Sequence, residues 1–271
     1  MTFSSPNLPK RLQIDVQSMQ YPGANTPLIS NLSLELHPGE VVGVLGPSGI
    51  GKTTLLRIAA GLESQFSGSV IWRGQEWDKP GREIQLLFQD IRLLPWLNVW
   101  DNVLFSSHGA DAKNEEQAAH EILSQVGIAD LAERWPRELS GGEQSRVALA
   151  RSLVGDAKVL LFDEPFANLD AETRYRLQRL IVGLVKARDI VSLIVTHSIE
   201  DAVLTCDRVL IASASPLSKF TEFKIDIPGE RRISADFVQR KILELQKVVL
   251  LSGSKGSIAS PQGIPSKETQ S

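Results

Sequence analysis

Residues 46–53 read GPSGIGKT, in which Gly46 and Gly51 precede Lys52 and Thr53 with the G-x-x-x-x-G-K-[ST] spacing of a phosphate-binding loop. The chemistry this implies is anion capture. Glycines let successive backbone N–H groups turn inward around a phosphate, and a helix N-terminus adds its partial positive charge. Lys52 can reach the outer phosphates, and the Thr53 hydroxyl can ligate Mg2+, a hard cation held by few protein oxygens together with substrate phosphates. A second set of chemical residues closes the stretch VLLFDEP, where Asp163 and Glu164 follow four apolar residues. In phosphate-loop ATPases a carboxylate in this place holds Mg2+, the role expected of Asp163 through water. Glu164 can polarise an attacking water as general base. The third stretch, LSGGEQSRVALARSL, sets Ser140, Gly141 and Gly142 ahead of a helix and so offers a second group of outward N–H donors. If the first loop already surrounds a triphosphate, this second turn has nothing to bind unless it serves a nucleotide on another copy of the chain.

These residues need elements to hold them. The run before the first loop, EVVGVLG, is short, β-branched and apolar, whereas KTTLLRIAAGL carries the 3.6-residue pattern of a helix. A strand therefore feeds a glycine turn that opens a helix. The same reasoning predicts strands over 12–17, 32–36, 40–46, 68–72, 84–88, 158–162, 191–196 and 207–212. Helices are predicted over 52–61, 115–126, 142–154, 171–187 and 199–205. Between 91 and 138 the pattern is almost entirely helical, which places a helical subdomain, about 91–150, inside an α/β core. The carboxylates then sit at the carboxyl edge of a buried strand, where parallel sheets bind ligands.

Composition narrows the function classes. A chain of 271 residues, 42% hydrophobic and 23% charged, is an ordinary globular protein, and its net charge of −3 gives no global signal for nucleic acid. The N-terminal MTFSSPNLPKRLQIDVQ lacks the apolar stretch of a secretory signal, and no apolar run is long enough to cross a bilayer. A single cysteine, Cys206, excludes an internal disulfide and reads as a buried small hydrophobe in a cytoplasmic protein.

The stretches GPSGIGKT, LSGGE and VLLFDEP and the histidine of VTHS stand in the order and context of ATP-binding-cassette ATPases, which the chain resembles from about 12 to 212. The resemblance implies a P-loop NTPase core of cassette type, α/β in class, with an inserted α-helical subdomain and an antiparallel β edge. It also implies a head-to-tail homodimer in which each ATP lies between the phosphate loop of one subunit and the LSGGE turn of the other. The ATP-binding set so implied is Tyr21, stacking on adenine, with Gly46, Pro47, Ser48, Gly49, Ile50, Gly51, Lys52, Thr53 and Thr54. Leu139, Ser140, Gly141, Gly142 and Glu143 form the turn that meets the partner's ATP, and Asp170 matches the loop that crosses the dimer interface. Thr53, Gln89 and Asp163 are the implied Mg2+ set; Glu164, His197, Gln89 and Lys52 are the implied catalytic set, with His197 contacting the γ-phosphate. Three positions depart from the usual pattern: Glu143 stands where glutamine is usual, Ser198 where aspartate is common, and Asn168 where a small residue is usual. Glu143 is expected to be tolerated, because Ser140 and the glycine N–H groups make the phosphate contacts. Ser198 and Asn168 lie off the inferred chemistry and are positions where rate or dimer communication can change.

The work that hydrolysis drives is read from FQDIRLLPWLNVWDNV, whose apolar density follows Gln89. The wording resembles the subgroup serving importers of nitrate, taurine, alkanesulfonates and pyrimidine precursors of thiamine. That implies a bacterial importer ATPase on the inner face of the cell membrane. Its permease would dock near Leu93, Leu94, Trp96 and Trp100, and a periplasmic or lipoprotein substrate-binding protein would act indirectly; Leu97 and Val103 are read as core. The competing reading is a soluble cassette ATPase acting on ribosomes or nucleic acid, against which stand a single cassette and no sustained heptads. On this division 1–215 is the ATPase domain, 216–251 a short extension with a strand, a turn at 228–229 and a helix over 234–250, and 252–271 a disordered tail. Phe237, Ile242, Leu245 and Val249 are the residues of that helix expected to cover the core.

Overall fold

The computed structural model describes residues 10–90, 92–106, 112–154, 157–167, 169–226 and 234–254. Strand β1 (Leu12–Met19) pairs antiparallel with β2 (Ile29–Leu36) on one side and β4 (Phe66–Trp72) on the other. The two-residue β5 (Gln75–Glu76) closes this four-stranded sheet. A second sheet is built from β3 (Val41–Leu45), β6 (Ile84–Leu87), β7 (Val159–Asp163), β8 (Val191–Thr196), β9 (Arg208–Ile211) and β10 (Thr221–Lys224), in the order β10-β9-β3-β8-β7-β6. All neighbours in it run parallel except β10, which pairs antiparallel with β9.

Strand alternation divides the core into two layers. Val42, Val44, Leu161, Leu193 and Val195 face helix α1 (Lys52–Ala59) and the antiparallel sheet. Val41, Leu45, Leu160, Phe162 and Ile194 face the opposite layer, which holds α4 (Gly141–Val154), α5 (Ala171–Arg188) and α6 (Ile199–Thr205). Because both faces are covered, these strands read as continuous apolar runs rather than as alternating ones. Cys206 is fully buried in the second layer.

Outside β5, which the pattern does not predict, and the 91–138 stretch, the elements fall where hydrophobic pattern predicts them, with differences at their ends. Helix α1 stops at Ala59 rather than 61 because Gly61 takes a left-handed φ of 70° and donates its N–H to the Ile58 carbonyl. The 91–138 stretch is less helical than its pattern. It contains α2 (Val99–Leu104), α3 (Ala112–Gln125) and two 3-10 turns, whereas residues 92–97 form no helix. The reason is Asn102, fully buried in α2. Its Oδ1 accepts the Leu94 N–H at 2.8 Å, and its Nδ2 donates to the carbonyls of Leu94, Leu97 and Asn98 at 3.1, 2.9 and 2.9 Å. One amide thereby supplies partners that a helix would otherwise have given those backbone groups.

Helix α7 (Ala235–Ser254) packs Leu245, Ile242 and Val249 toward the second layer, joined by Val238 and Val248, while Phe237 lies under the Arg240 guanidinium, 4.5 Å from its ring centre. The helix continues through 252–254, expected to be disordered, because Val248 and Val249 keep its last turns against the core. The turn at 228–229, Asn168 and residues 255–271 lie outside the described residues. Among the described residues no helix is long and apolar enough to cross a membrane.

Replacing Asn102 by Ala is expected to lower stability by about 1–3 kcal/mol, the cost of leaving buried backbone groups unpaired. Urea denaturation followed by tryptophan fluorescence measures it, with Asn98→Ala, which removes only the exposed helix cap, as the milder comparison.

Candidate active site

Strands β3, β8, β7 and β6 are consecutive neighbours running the same way, so the loops that leave their carboxyl ends meet at one edge. From β3 comes the glycine loop, from β8 His197, from β7 Glu164, and from β6, two residues on, Gln89. A cavity of about 470 Å³ opens there; its walls include Tyr21, Ser48, Gly49, Gly51, Lys52, Thr53, Thr54, Gln89, Asp163 and Glu164. Leu28 and Val195 complete it; as apolar side chains they carry no chemical signal in the sequence.

The loop's glycines have geometric reasons. A side-chain carbon on Gly46 would lie 2.7 Å from the Ala212 carbonyl oxygen at the end of β9. Gly51 caps α1 with φ 110°, a left-handed conformation that disfavours other residues. Helix α1 has no side-chain cap and no acidic residue in its first turn, so its leading N–H groups face the cavity uncompensated. Lys52, almost fully buried, donates from Nζ to the carbonyls of Gly46 at 2.7 Å and Pro47 at 2.9 Å. Burial lowers its pKa, against the opposing pull of Glu164 and Asp163. Ile50 turns inward and is buried with the first layer. The Tyr21 hydroxyl lies 3.1 Å from Thr54 Oγ1, which ties the aromatic residue to the start of α1 while the side chain stays exposed.

The two carboxylates differ in setting. Asp163 ends β7 and is buried, which raises its pKa although the Thr53 hydroxyl hydrogen-bonds to it. Glu164 has φ 51°, a left-handed conformation rare outside glycine. That turn takes it out of strand alternation, so both carboxylates line one cavity. Glu164 Oε1 lies 3.0 Å from His197 Nδ1, and the His197 N–H donates to Oε2 at 3.4 Å. Thr53, Asp163 and Gln89 bring hydroxyl, carboxylate and amide oxygens to one cavity, a donor set suited to a hard divalent cation.

Leu139, Ser140, Gly141, Gly142 and Glu143 do not line this cavity, and neither does Asp170. Asp170 instead caps α5, its Oδ1 accepting the N–H groups of Glu172 and Thr173 at 3.1 and 3.0 Å. Leu139 is buried, and Gly142 packs so closely on Thr173 that a side-chain carbon there would lie 2.1 Å from its methyl. Ser198 caps α6, its hydroxyl accepting the Asp201 N–H at 3.1 Å. Glu143 does more than substitute for glutamine. Its Oε2 accepts both the N–H and the hydroxyl of Ser140, at 2.7 and 2.9 Å, and the Glu143 N–H returns to the hydroxyl at 3.4 Å. This is a capping box at the start of α4, and it engages the hydroxyl that the resemblance assigns to phosphate. Of the four residues expected to dock a permease, Trp96 has its side chain exposed, at 68%. Leu93 and Trp100 pack partly against the subdomain core, with the Trp100 ring 4.4 Å from that of His120, and Leu94 is held by Asn102.

A glycine loop opening a helix, a buried lysine and two carboxylates at the end of a parallel strand define a P-loop nucleotide-binding protein. Residues 29–167 match the ABC transporter family. The chain is 45% identical over 203 residues to the aliphatic sulfonates import ATP-binding protein SsuB 1 of Streptomyces avermitilis, covering 75% of this chain and 74% of that one. It is 40% identical over 215 residues to SsuB 2 of Burkholderia cenocepacia, covering 79% of each. The ATP-binding cassette MJ0796, solved as a dimer in a post-hydrolysis state bound to ADP and Pi, superposes with a TM-score of 0.67 at 26% identity, over 80% of this chain and 100% of that one. The chain belongs to the ABC transporter family and is an ATPase of that family.

The bonds from Ser140 hold the Glu143 carboxyl below its ordinary pKa. A lowered folded-state pKa means the cap stabilises above the ordinary carboxylate range and is lost as pH falls through the lowered value. Glu143→Gln should therefore cost at most about 0.5 kcal/mol near neutral pH, the pair being partly exposed, with the difference vanishing on acidification. Chemical denaturation of both proteins between pH 7 and pH 3 checks it.

Proposed function

We propose that this chain is the ATP-hydrolysing subunit of a bacterial importer for a small anionic solute of the organic sulfonate type. It would work as a homodimer beneath a separate permease on the inner face of the membrane. One observation carries the chemistry: the Glu164–His197 pair at 3.0 Å, at the ends of the adjoining strands β7 and β8, with Lys52, Asp163 and Glu164 in one cavity. ATP lies with its phosphates on the glycine loop and the first turn of α1, its adenine against Tyr21, and Lys52 exchanges the Gly46 and Pro47 carbonyls for phosphate oxygens. Thr53, Asp163 and Gln89 would hold Mg2+, which when bound neutralises charge on the phosphate oxygens. Glu164 accepts a proton from the attacking water, and His197 hydrogen-bonds the γ-phosphate; the acceleration comes from positioning and electrostatics.

The second glycine turn supplies the other half of the site. Ser140, Gly141 and Gly142 meet the ATP held by a second copy, and Asp170 lies on the loop facing that copy. Ser140 has one hydroxyl proton, so the partner's phosphate competes with Glu143 for it. The importer reading is supported by the likeness to the aliphatic sulfonates import ATP-binding proteins and by the exposed Trp96 beyond Gln89.

Glu164→Gln should bind ATP with parental affinity while turnover falls by about 10²–10³-fold, the usual effect of removing one catalytic group of this kind. Parental turnover in that variant would remove Glu164 as general base. Trp96→Ala should fold and hydrolyse ATP yet fail to retain a polytopic membrane protein when tagged chain is recovered from native membranes in mild detergent. Recovery with ribosomes or DNA in the soluble fraction would replace the importer reading with a soluble one.

A further inference from the structure

Two loops that act in the proposed reaction start neighbouring helices. Asp170 begins α5, and His197 and Ser198 begin α6. One turn into α6 stands Asp201, a carboxylate only 6% exposed. Its Oδ1 accepts Gln178 Nε2 at 2.8 Å, and Gln178, in the second turn of α5, is itself 3% exposed. One turn earlier in α5, Arg174 donates from Nη2 to the Leu169 carbonyl at 3.2 Å, and its Nε is buried without a hydrogen-bond partner among the described residues.

Burial opposes the ionised form of Asp201, while the Ser198 hydrogen bond and the Arg174 charge favour it. Glu200 and Glu164 are the negative groups that act against it. A carboxylate in this position is costly unless its partners stay in place. None of Arg174, Gln178 and Asp201 lines the nucleotide cavity, so their contacts serve the loops and not the ligand. At its backbone end, Asp201 donates its N–H to Ser198 Oγ at 3.1 Å, and the Ser198 N–H donates to Thr196 Oγ1 at 3.0 Å. The hydrogen bonds therefore run from Gln178 in α5 through Asp201 to Ser198 and Thr196, the two residues that flank His197, while Arg174 fastens the Leu169 carbonyl to the same helix α5.

We infer that Asp201 is a positioning residue for His197, and that its hydrogen bond to Gln178 of α5, the helix that Asp170 caps and whose Arg174 holds the Leu169 carbonyl, makes the loop at 169–170 and the histidine move as one unit. Engagement of that loop by a second copy then sets the histidine against the γ-phosphate, which couples dimer contact to turnover. This rests on the reading of His197 as the γ-phosphate contact. Displacing a reacting group by about 1 Å can cost on the order of 10²-fold in rate.

The test is steady-state ATPase of the full chain over a range of ATP concentrations, with binding of a fluorescent ATP analogue and thermal melting measured on each protein. Asp201→Ala and Gln178→Ala should each lower kcat by about tenfold or more at nearly unchanged KM and analogue affinity, with the Hill coefficient for ATP falling toward 1. The double variant should be no slower than the slower single one, because both break one link. Asp201→Asn, which keeps an acceptor for Gln178 and the shape of the side chain, should recover part of kcat; it also serves if the alanine variant does not fold. Parental kcat in Asp201→Asn and Gln178→Ala, or a loss of kcat that is additive and follows melting temperature across the set, overturns the inference. His197→Ala separates the two levels: if it is slow while the Asp201 and Gln178 variants are parental, only the positioning role falls, and if it is itself parental, both the role and the reading beneath it fall.

Discussion

A parallel array of five strands, β9-β3-β8-β7-β6, has to be covered on both faces, and this is the constraint on which the rest of the molecule depends. Burial of strands such as VVGVL and VLLFD leaves their carboxyl ends as the place where polar residues can emerge together. Since β3, β8, β7 and β6 stand side by side, a lysine, a histidine, two carboxylates and a glutamine separated by as many as 145 positions in the chain (197 minus 52) reach one region. The two-layer core, one layer under the antiparallel sheet and α1 and one under α4, α5 and α6, keeps those ends in register.

Within that frame several polar side chains of the site are paired inside the chain, while the first N–H groups of α1 stay open to the cavity. Lys52 is desolvated and gives its protons to carbonyls of its own loop, Thr53 bonds to a buried Asp163, and Thr54 stands against the Tyr21 hydroxyl. Each arrangement supplies a partner to a group that burial would otherwise penalise by about 1–3 kcal/mol, more for a charge. Such partners are exchangeable. A ligand with anionic oxygens can replace carbonyls and hydroxyls at little net loss, which is how a preorganised site binds without reorganising its scaffold.

Side-chain amides and carboxylates set the irregular parts. Asn102 shapes 92–97 into a non-helical segment within an otherwise helical subdomain, and this leaves Trp96 outward while Leu93 packs inward. Glu143 closes a capping box on Ser140, and a negative charge thereby stands where the family usually carries a neutral amide. The C-terminal strand and helix are integrated as well: β10 extends the parallel sheet at its edge and α7 covers the layer beside α6.

The amino-acid sequence by itself determined the phosphate loop, the Asp163–Glu164 step, the LSGGE turn and nearly every strand and helix. These signals are local: glycine spacing, an apolar run ending in carboxylates, and 3.6-residue periodicity are all written within about fifteen residues. Tertiary structure alone decided which residues share a wall. Nothing near Tyr21 in the chain announces Thr54 as its partner, the left-handed backbone at Glu164 that turns it toward His197 has no compositional mark, and the Gln178–Asp201 contact joins two helices through residues 23 positions apart in sequence. In the apolar density after Gln89 the sequence grouped Leu93, Leu94, Trp96 and Trp100 on one docking surface, whereas the fold around Asn102 sends Leu93 inward and Trp96 outward. The physical reason is common to all of these. Pairing of buried polar groups depends on where helices and strands cross in space, and hydrophobic periodicity fixes which face an element buries without fixing which side chains of another element that face will meet.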